Sequence, residues 1–451
     1  MPLRKHTVAL ALAALAGAAA IPSSAAASPP WSAPASIPAA TGAPVQSVFT
    51  AAGHGVVLSP NGGGRSAPAQ LAAVTPAGAV TSTTPLAFVG DDLATYAGDR
   101  IAVAGQTLAT AGPDIGTIDD SSSIVTRLGT PAALGAQHTV PGTKGQQIYG
   151  LASNHAGLMA LMTGAGTKTR TVFIRKPGSS TFSAKLRFSV SSRARGATVA
   201  VGDTGDVLVV YEDAHEIRAR HIGPHGSVGA VHELGAGVQS DLQAIVDDDG
   251  RLEVAWKSQR VDEGEAATPA LVWFATAAPG HGFGSAHKIA TVGQVGAGRY
   301  VAAPAVRLLA VGNDALLAYT GYDGANYRVE AQQIARGHLG GVQQLSPAGV
   351  DAVLGDAAVD AQGAQIVAWR SGVAGADPSG LPGGQASHTP VLANVRPAGA
   401  VAFGAAELVS PADTDVPLAP SAALDPVSGR AIVAYGLLTP QSAQLASRPA
   451  F

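Results

Sequence analysis

The side chains in this sequence with the most capacity for chemistry are carboxylates and imidazoles, and they fall into three groups. The first is Asp247-Asp248-Asp249-Gly250, echoed by Asp203–Asp206 and Asp360–Gly363. Several acidic oxygens in one small loop invite a hard cation such as calcium. The spacing argues against it, because there is no Asp-x-Asp-x-Asp-Gly register and no downstream bidentate Glu. Short carboxylates followed by Gly are instead what a tight hairpin turn asks for. The second group is His215, His221, His225 and His232. On one strand His215 and His221 share a face but lie about 20 Å apart by strand rise, too far for a common metal. His225 is placed in a turn between outer strands and His232 in the outermost strand. No metal and no cofactor is therefore assigned. The third group lies in stretches that interrupt the chain's rhythm: Asp119, Asp120, Lys257, Arg260, Glu263, Asp377 and His388. These are the candidate ligand-binding residues, since binding groups are usually grafted onto a scaffold through its loops. No Gly-x-Ser-x-Gly elbow nominates a nucleophile, so no catalytic residue is assigned.

The elements that must hold these residues are read from residues 241–290. They divide into four short strands, Leu242–Val246, Leu252–Trp256, Ala270–Ala275 and Phe283–Ile289, with the triple-Asp turn joining the first two. The pattern recurs. The second strand reappears as Val207–Tyr211, Ala315–Tyr319, Gln365–Trp369 and Ala431–Tyr435, each after a polar turn that contains Gly. A fourth-strand pattern recurs at Gly226–Leu234, Leu339–Leu345 and Phe403–Val409. The first third is more diverged, with strands expected at Val45–Ala51, Gly55–Leu58, Leu93–Tyr96 and Ile101–Ala104. Repeats start near positions 45, 88, 147, 196, 241, 303, 354 and 419, a mean spacing of about 53 residues. Trp256, Trp369, Tyr211, Tyr319 and Tyr435 share one position of the repeat, which marks them as packing between repeats rather than as a binding platform.

The two ends complement one another. The last repeat supplies Ser421–Leu424, Ala431–Tyr435 and Ser442–Ala446 and then lacks a fourth strand, while Trp31–Ile37 has the character of one. Pairing them closes a ring, and Pro34 suits an outermost strand, where a missing N–H costs least.

This pattern resembles the β-propeller repeat of secreted bacterial proteins, in which each blade carries a turn, a Val-Ala-Trp/Tyr second strand and a Gly-Phe-Gly-like fourth strand. The resemblance implies an all-β propeller of about eight four-stranded blades, with seven as the alternative, the last blade completed by the N-terminal strand. It implies a fold and no chemistry. Three connections between second and third strands are long, Gly105–Ser122, Lys257–Pro269 and Ser371–Pro390. In a propeller they emerge on one face and build a rim around the channel.

Arg4-Lys5, the apolar run Thr7–Ala20 and Ala25-Ala26-Ala27 read as a secretory signal, residues 1–27, ahead of one domain over 28–451. Removing that signal takes two cations and no acids from 28 Lys+Arg and 31 Asp+Glu, leaving 26 against 31, or −5. Such a balance offers no basic field for nucleic acid. The apolar run is too short to remain as a membrane span, and no second one follows. The absence of cysteine excludes disulfides and an acylated N-terminal cysteine. The expectation is a soluble, secreted, extracellular monomer with no transmembrane anchor, binding a glycan or protein through its loop-rich face. A carbohydrate-active hydrolase or lyase using loop carboxylates is the alternative.

Overall fold

The computed structural model describes residues 31–38, 40, 46–59, 68–89, 100–113, 122–164, 168–191, 196–237, 241–258, 270–292, 306–372, 389–414, 419–437 and 442–451. They form eight four-stranded antiparallel sheets, with no helix among the described residues. The first strand of each sheet is Gln46–Phe49, Arg100–Ala104, Gln147–Ser153, Ala197–Val201, Leu242–Val246, Val306–Val311, Ala352–Val359 and Ser421–Leu424. Each contacts the first strand of the next sheet, and Ser421–Leu424 contacts Gln46–Phe49, so the sheets close into a ring. This is an eight-bladed β-propeller, and the count of seven is excluded. The blades are numbered here in chain order from Gln46–Phe49.

The inner strands of each blade are buried on both faces because the blade is sandwiched between neighbours, and the second strands accordingly read as continuous apolar runs. The second strand of blade 5, Leu252–Ser258, is buried through Lys257. The repeated aromatic packs backwards. Trp256 lies in a core with Leu208, Val210 and Ile217 of blade 4, and Tyr319 in one with Val272 and Phe274 of blade 5. Trp369 and Tyr435 pack the same way on blades 6 and 7. Full burial of one such ring stabilises its seam by about 2–3 kcal/mol.

The N-terminal segment closes the ring as expected. Ala35 and Ser36 pair with Leu445 and Gln444 in the third strand of blade 8, and Ser32 N–H and Ile37 N–H donate to the carbonyls of Ser447 (2.7 Å) and Ala443 (2.9 Å). Beside this strand the Trp31 indole donates to Glu407 of blade 7 at 3.0 Å. Glu407 also holds the fully buried Arg448 guanidinium through two bonds of 2.8 and 2.9 Å.

Several expectations are corrected. Arg100–Ala104 is the first strand of blade 2, not its second, and the second is Thr107–Pro113. A two-residue turn at Gly105-Gln106, with Gly105 at φ 59°, had the appearance of the start of a long loop. The connection expected over Gly105–Ser122 therefore begins only after Pro113, and Leu93–Tyr96 lies outside the described residues. In blade 5 the outer strand is His287–Thr291, and Phe283 precedes it as an interface plug, edge-on to His232 of blade 4 with centroids 6.1 Å apart. His215 is not in a strand: with Ala214 it forms a turn at positive φ (73° and 50°) ahead of Glu216–Ile222.

Candidate functional site

Antiparallel pairing gives the ring two unlike faces. First-to-second and third-to-fourth turns lie at one end of every blade, second-to-third and fourth-to-first links at the other. At the first end the acidic turns serve the backbone. Asp247 Oδ1 accepts the Arg251 N–H at 2.7 Å, and Asp360 Oδ1 accepts those of Gln362 (3.0 Å) and Ala364 (2.8 Å). Asn154 does the same for Leu158 at 2.9 Å. Gly250 at φ 82° completes the triple-Asp turn, in which the Asp247 carboxylate is the cap.

These turns also touch around the ring. The Ala51 N–H donates to Gly105 O at 2.8 Å, Asn154 Nδ2 to Gly202 O at 2.8 Å and the Asp248 N–H to Gly312 O at 3.2 Å. Gly53 sits against Asp425, and Gly429 against Asp360. Two imidazoles join them: His155 meets Asp203 at 2.8 Å and His221 meets Asp206 at 2.5 Å. His221 is thus paired one-to-one with a carboxylate. Among the described residues no group of three or more His, Asp or Glu side chains is placed to hold a metal ion.

The opposite face carries the long connections. Of the candidate binding residues, Asp119, Asp120, Arg260, Glu263, Asp377 and His388 lie outside the described residues. Lys257 is described, and its position differs from the expected loop. It pairs with Val272 in the ladder, is 4% exposed, and its Nζ lies 3.2 Å from Asp241 at the entry to the same blade. Following Trp256 by one residue, it points to the other side of the sheet, toward blade 6. A lysine long enough to reach a carboxylate at the strand end can be buried along its stem.

On blade 6 is a site that sequence inspection missed. The second and third strands, Asp314–Tyr322 and Tyr327–Ala335, end on the pair Tyr322 and Tyr327, whose ring centroids are 5.3 Å apart at 53°. Tyr322 is 38% exposed, whereas the repeated aromatics are buried. The turn between the tyrosines is fixed by side chains. Asp323 Oδ1 accepts the N–H groups of Ala325 (2.9 Å) and Asn326 (2.8 Å), and Arg328 Nη1 donates to Asp323 Oδ2 at 3.0 Å. These bonds, the Asn326 and Ala325 amides first and then Arg328, hold the Asp323 carboxyl below its usual range.

Arg328 is buried and also donates to the Ser346 carbonyl (2.5 Å), to Ser346 Oγ (3.2 Å) and to Gln344 (3.3 Å). Asp351, at the entry to blade 7, accepts the Tyr327 N–H at 2.9 Å and Asn326 Nδ2 at 3.4 Å. The hairpin tip is therefore anchored to its own outer strand and to the next blade. At its base Glu330 lies across Gly321, where a Cβ would come within 3.0 Å of the carboxylate, and burial with the nearby Glu330 charge pushes the Tyr319 hydroxyl up. The sequence signal was Tyr322-Asp-Gly-Ala-Asn-Tyr327, two aromatics flanking a turn.

A second concavity, about 450 Å³, lies on the outer rim between blades 7 and 8. Trp31, Val395, Pro397, Leu408 and Phe451 line it with Glu407. Its carboxylate is committed to Arg448 and Trp31, which makes it part of the ring closure.

No protein-family model matches the chain, and no curated protein matches it. Among solved structures it is similar to the β-propeller domain of the Trilobed protease from Pyrococcus furiosus, with TM-score 0.45, 9% identity, and coverage of 77% of this chain and 92% of that one. A polysaccharide lyase of family PL25, an ulvan lyase, gives TM-score 0.46 at 9% identity over 75% of this chain and 95% of that one. Kuenenia stuttgartiensis hydrazine synthase gives TM-score 0.45 at 10% identity over 89% and 94%. At this level the similarities speak to general shape, and the propeller assignment stands on the closed ring of eight sheets itself.

Proposed function

We propose that the chain is an exported, soluble binding scaffold that engages a macromolecular ligand, glycan or protein, through its loop-bearing face. The observation that carries this reading is the contrast between the two faces. One is tied together turn to turn by capped hairpins. The other carries the long connections and a rigidly anchored hairpin with an aromatic pair at its tip. A ring held rigid at one end and varied at the other suits display of binding groups. Export rests on the residue pattern of 1–27, and no described helix is long and apolar enough to cross a membrane.

The test replaces residues 373–388 with a short Gly-Ser linker. Gly372 N–H bonds Asp351 O at 2.8 Å and Ser371 N–H bonds Pro390 O at 2.9 Å, so blade 7 keeps its stem. The variant is expected to fold as the parent does by circular dichroism and melting, and to lose capture of the partner from culture medium or cell-envelope fractions. Undiminished capture refutes the reading. Turnover of any member of a polysaccharide panel, monitored by reducing ends and by absorbance of unsaturated products, would replace it with the hydrolase or lyase alternative.

A further inference from the structure

We propose that the Tyr322–Tyr327 hairpin of blade 6 is a stacking platform for an uncharged polysaccharide. This rests on the loop-face reading above and names its ligand. The first support is exposure. The aromatics repeated from blade to blade are 0–4% exposed, and Tyr322 is the one described aromatic residue among the exposed large hydrophobic side chains. A tyrosine in solvent needs no explanation by itself. Its support does.

Elsewhere the second and third strands are joined by as little as the two-residue turn Ala214-His215. Here Asp323, Asn326, Arg328 and Asp351 are all spent on holding the tip. Asn326 and Asp351 are each 8% exposed and Arg328 is 4% exposed. A binding group fixed before its ligand arrives loses less freedom on binding, and a buried supporting shell fixes it.

The chemistry on offer then selects the ligand. Tilted phenol rings present flat apolar faces with hydroxyl tips, which suit the C–H faces and hydroxyl rims of a pyranose. Asp323 Oδ1 accepts two N–H groups and Oδ2 accepts one from Arg328, leaving Oδ2 a lone pair for a hydroxyl donor. Charge excludes acidic glycans. Among the described residues of the hairpin and those hydrogen-bonded to its tip, Asp323, Glu330 and Asp351 stand against Arg328, which is itself paired with Asp323. A uronate or sulfate would meet net negative charge from these residues.

The experiment is affinity electrophoresis of the full chain in native gels containing laminarin, galactomannan, xyloglucan or alginate. Retardation by at least one neutral polysaccharide is expected. Tyr322→Ala should weaken it about tenfold, Tyr322→Trp should retain it, and alginate should not retard the parent. Tyr322 is at an exposed tip, so melting curves of the variants should overlay the parent. No retardation by any neutral polysaccharide, equal retardation by alginate, or retardation unchanged in Tyr322→Ala overturns the proposal. A captured ligand that proves to be a protein overturns it too. If the 373–388 replacement abolishes partner capture while Tyr322→Ala leaves it intact, the platform falls and the scaffold reading stands. If both variants capture normally, both fall.

Discussion

Replacing Glu253 by Gln should make the protein more resistant to alkaline pH. Glu253 sits at the seam of blades 5 and 6, 1% exposed, with one carboxylate oxygen lacking a hydrogen-bond partner. Burial, reinforced by the charges of Asp247 and Asp314 and opposed by Arg251, pushes its pKa from 4.5 up to about 8. The sign follows from which state holds the proton. Below about pH 4.5 the residue is protonated in both folded and unfolded chains, and its full contribution is present. Between 4.5 and 8 the unfolded chain releases a proton that the folded chain retains, so stability falls as pH rises, and above 8 the loss is complete. A displacement of this size corresponds to roughly 5 kcal/mol between the two limits. A single cooperative unit of this length has a melting entropy near 0.9 kcal/mol/K, so the change amounts to about 5 °C. Differential scanning calorimetry from pH 4.5 to 9 should show Glu253→Gln and parent melting together at the acid end and the variant several degrees higher at the alkaline end. Asp247, also raised by burial, should leave the variant a weaker residual slope of the same sign. Parallel curves across the whole range would refute the assignment of a buried, protonated Glu253.

Three further outcomes follow from the packing. Glu407→Ala strands the Arg448 guanidinium, 0% exposed, and removes the acceptor of the Trp31 indole, so urea unfolding should show a loss of about 3–5 kcal/mol. Trp369→Phe deletes the indole donor to Asn394 Oδ1 (2.8 Å) inside a filled core and should cost about 1–3 kcal/mol by the same measurement. Asp360→Ala releases two capped backbone N–H groups at an exposed turn; a cost of about 1–2 kcal/mol, unchanged by addition or chelation of calcium, is expected in thermal melts.

The parts of the fold legible in the residues are those whose physics repeats. A second strand buried on both faces has to be apolar throughout, and it follows a turn with restricted backbone angles, so Leu252–Trp256 and its copies stand out. The missing last strand was legible for the same reason, as a gap in a regular count. Outer strands were harder: half-exposed segments tolerate most residues, and Phe283, which read as a strand start, plugs the neighbouring blade instead. Blade 2 was misregistered because Gly105-Gln106 turns the chain in two residues, without an acidic cap to mark it. Lys257 read as a loop residue because lysine usually seeks water, whereas in the fold its ammonium is paired with Asp241. The Tyr322–Tyr327 tip was overlooked because the tyrosines sit just beyond the repeated aromatic at Tyr319, and nothing in the spacing distinguishes a ring that faces a core from one that faces solvent.

The hydrogen bond between Ser36 and Gln444 joins residues 408 positions apart, while each inner strand otherwise touches its successor in the chain. Confining a segment that long costs about 5 kcal/mol of chain entropy, incurred in a single step. Folding should therefore proceed as a chain of locally assembled meanders that waits on one late union of its two extremities. Refolding kinetics should be governed by that union, and the amides of the third strand of blade 8 that face the N-terminal segment should exchange once that segment detaches.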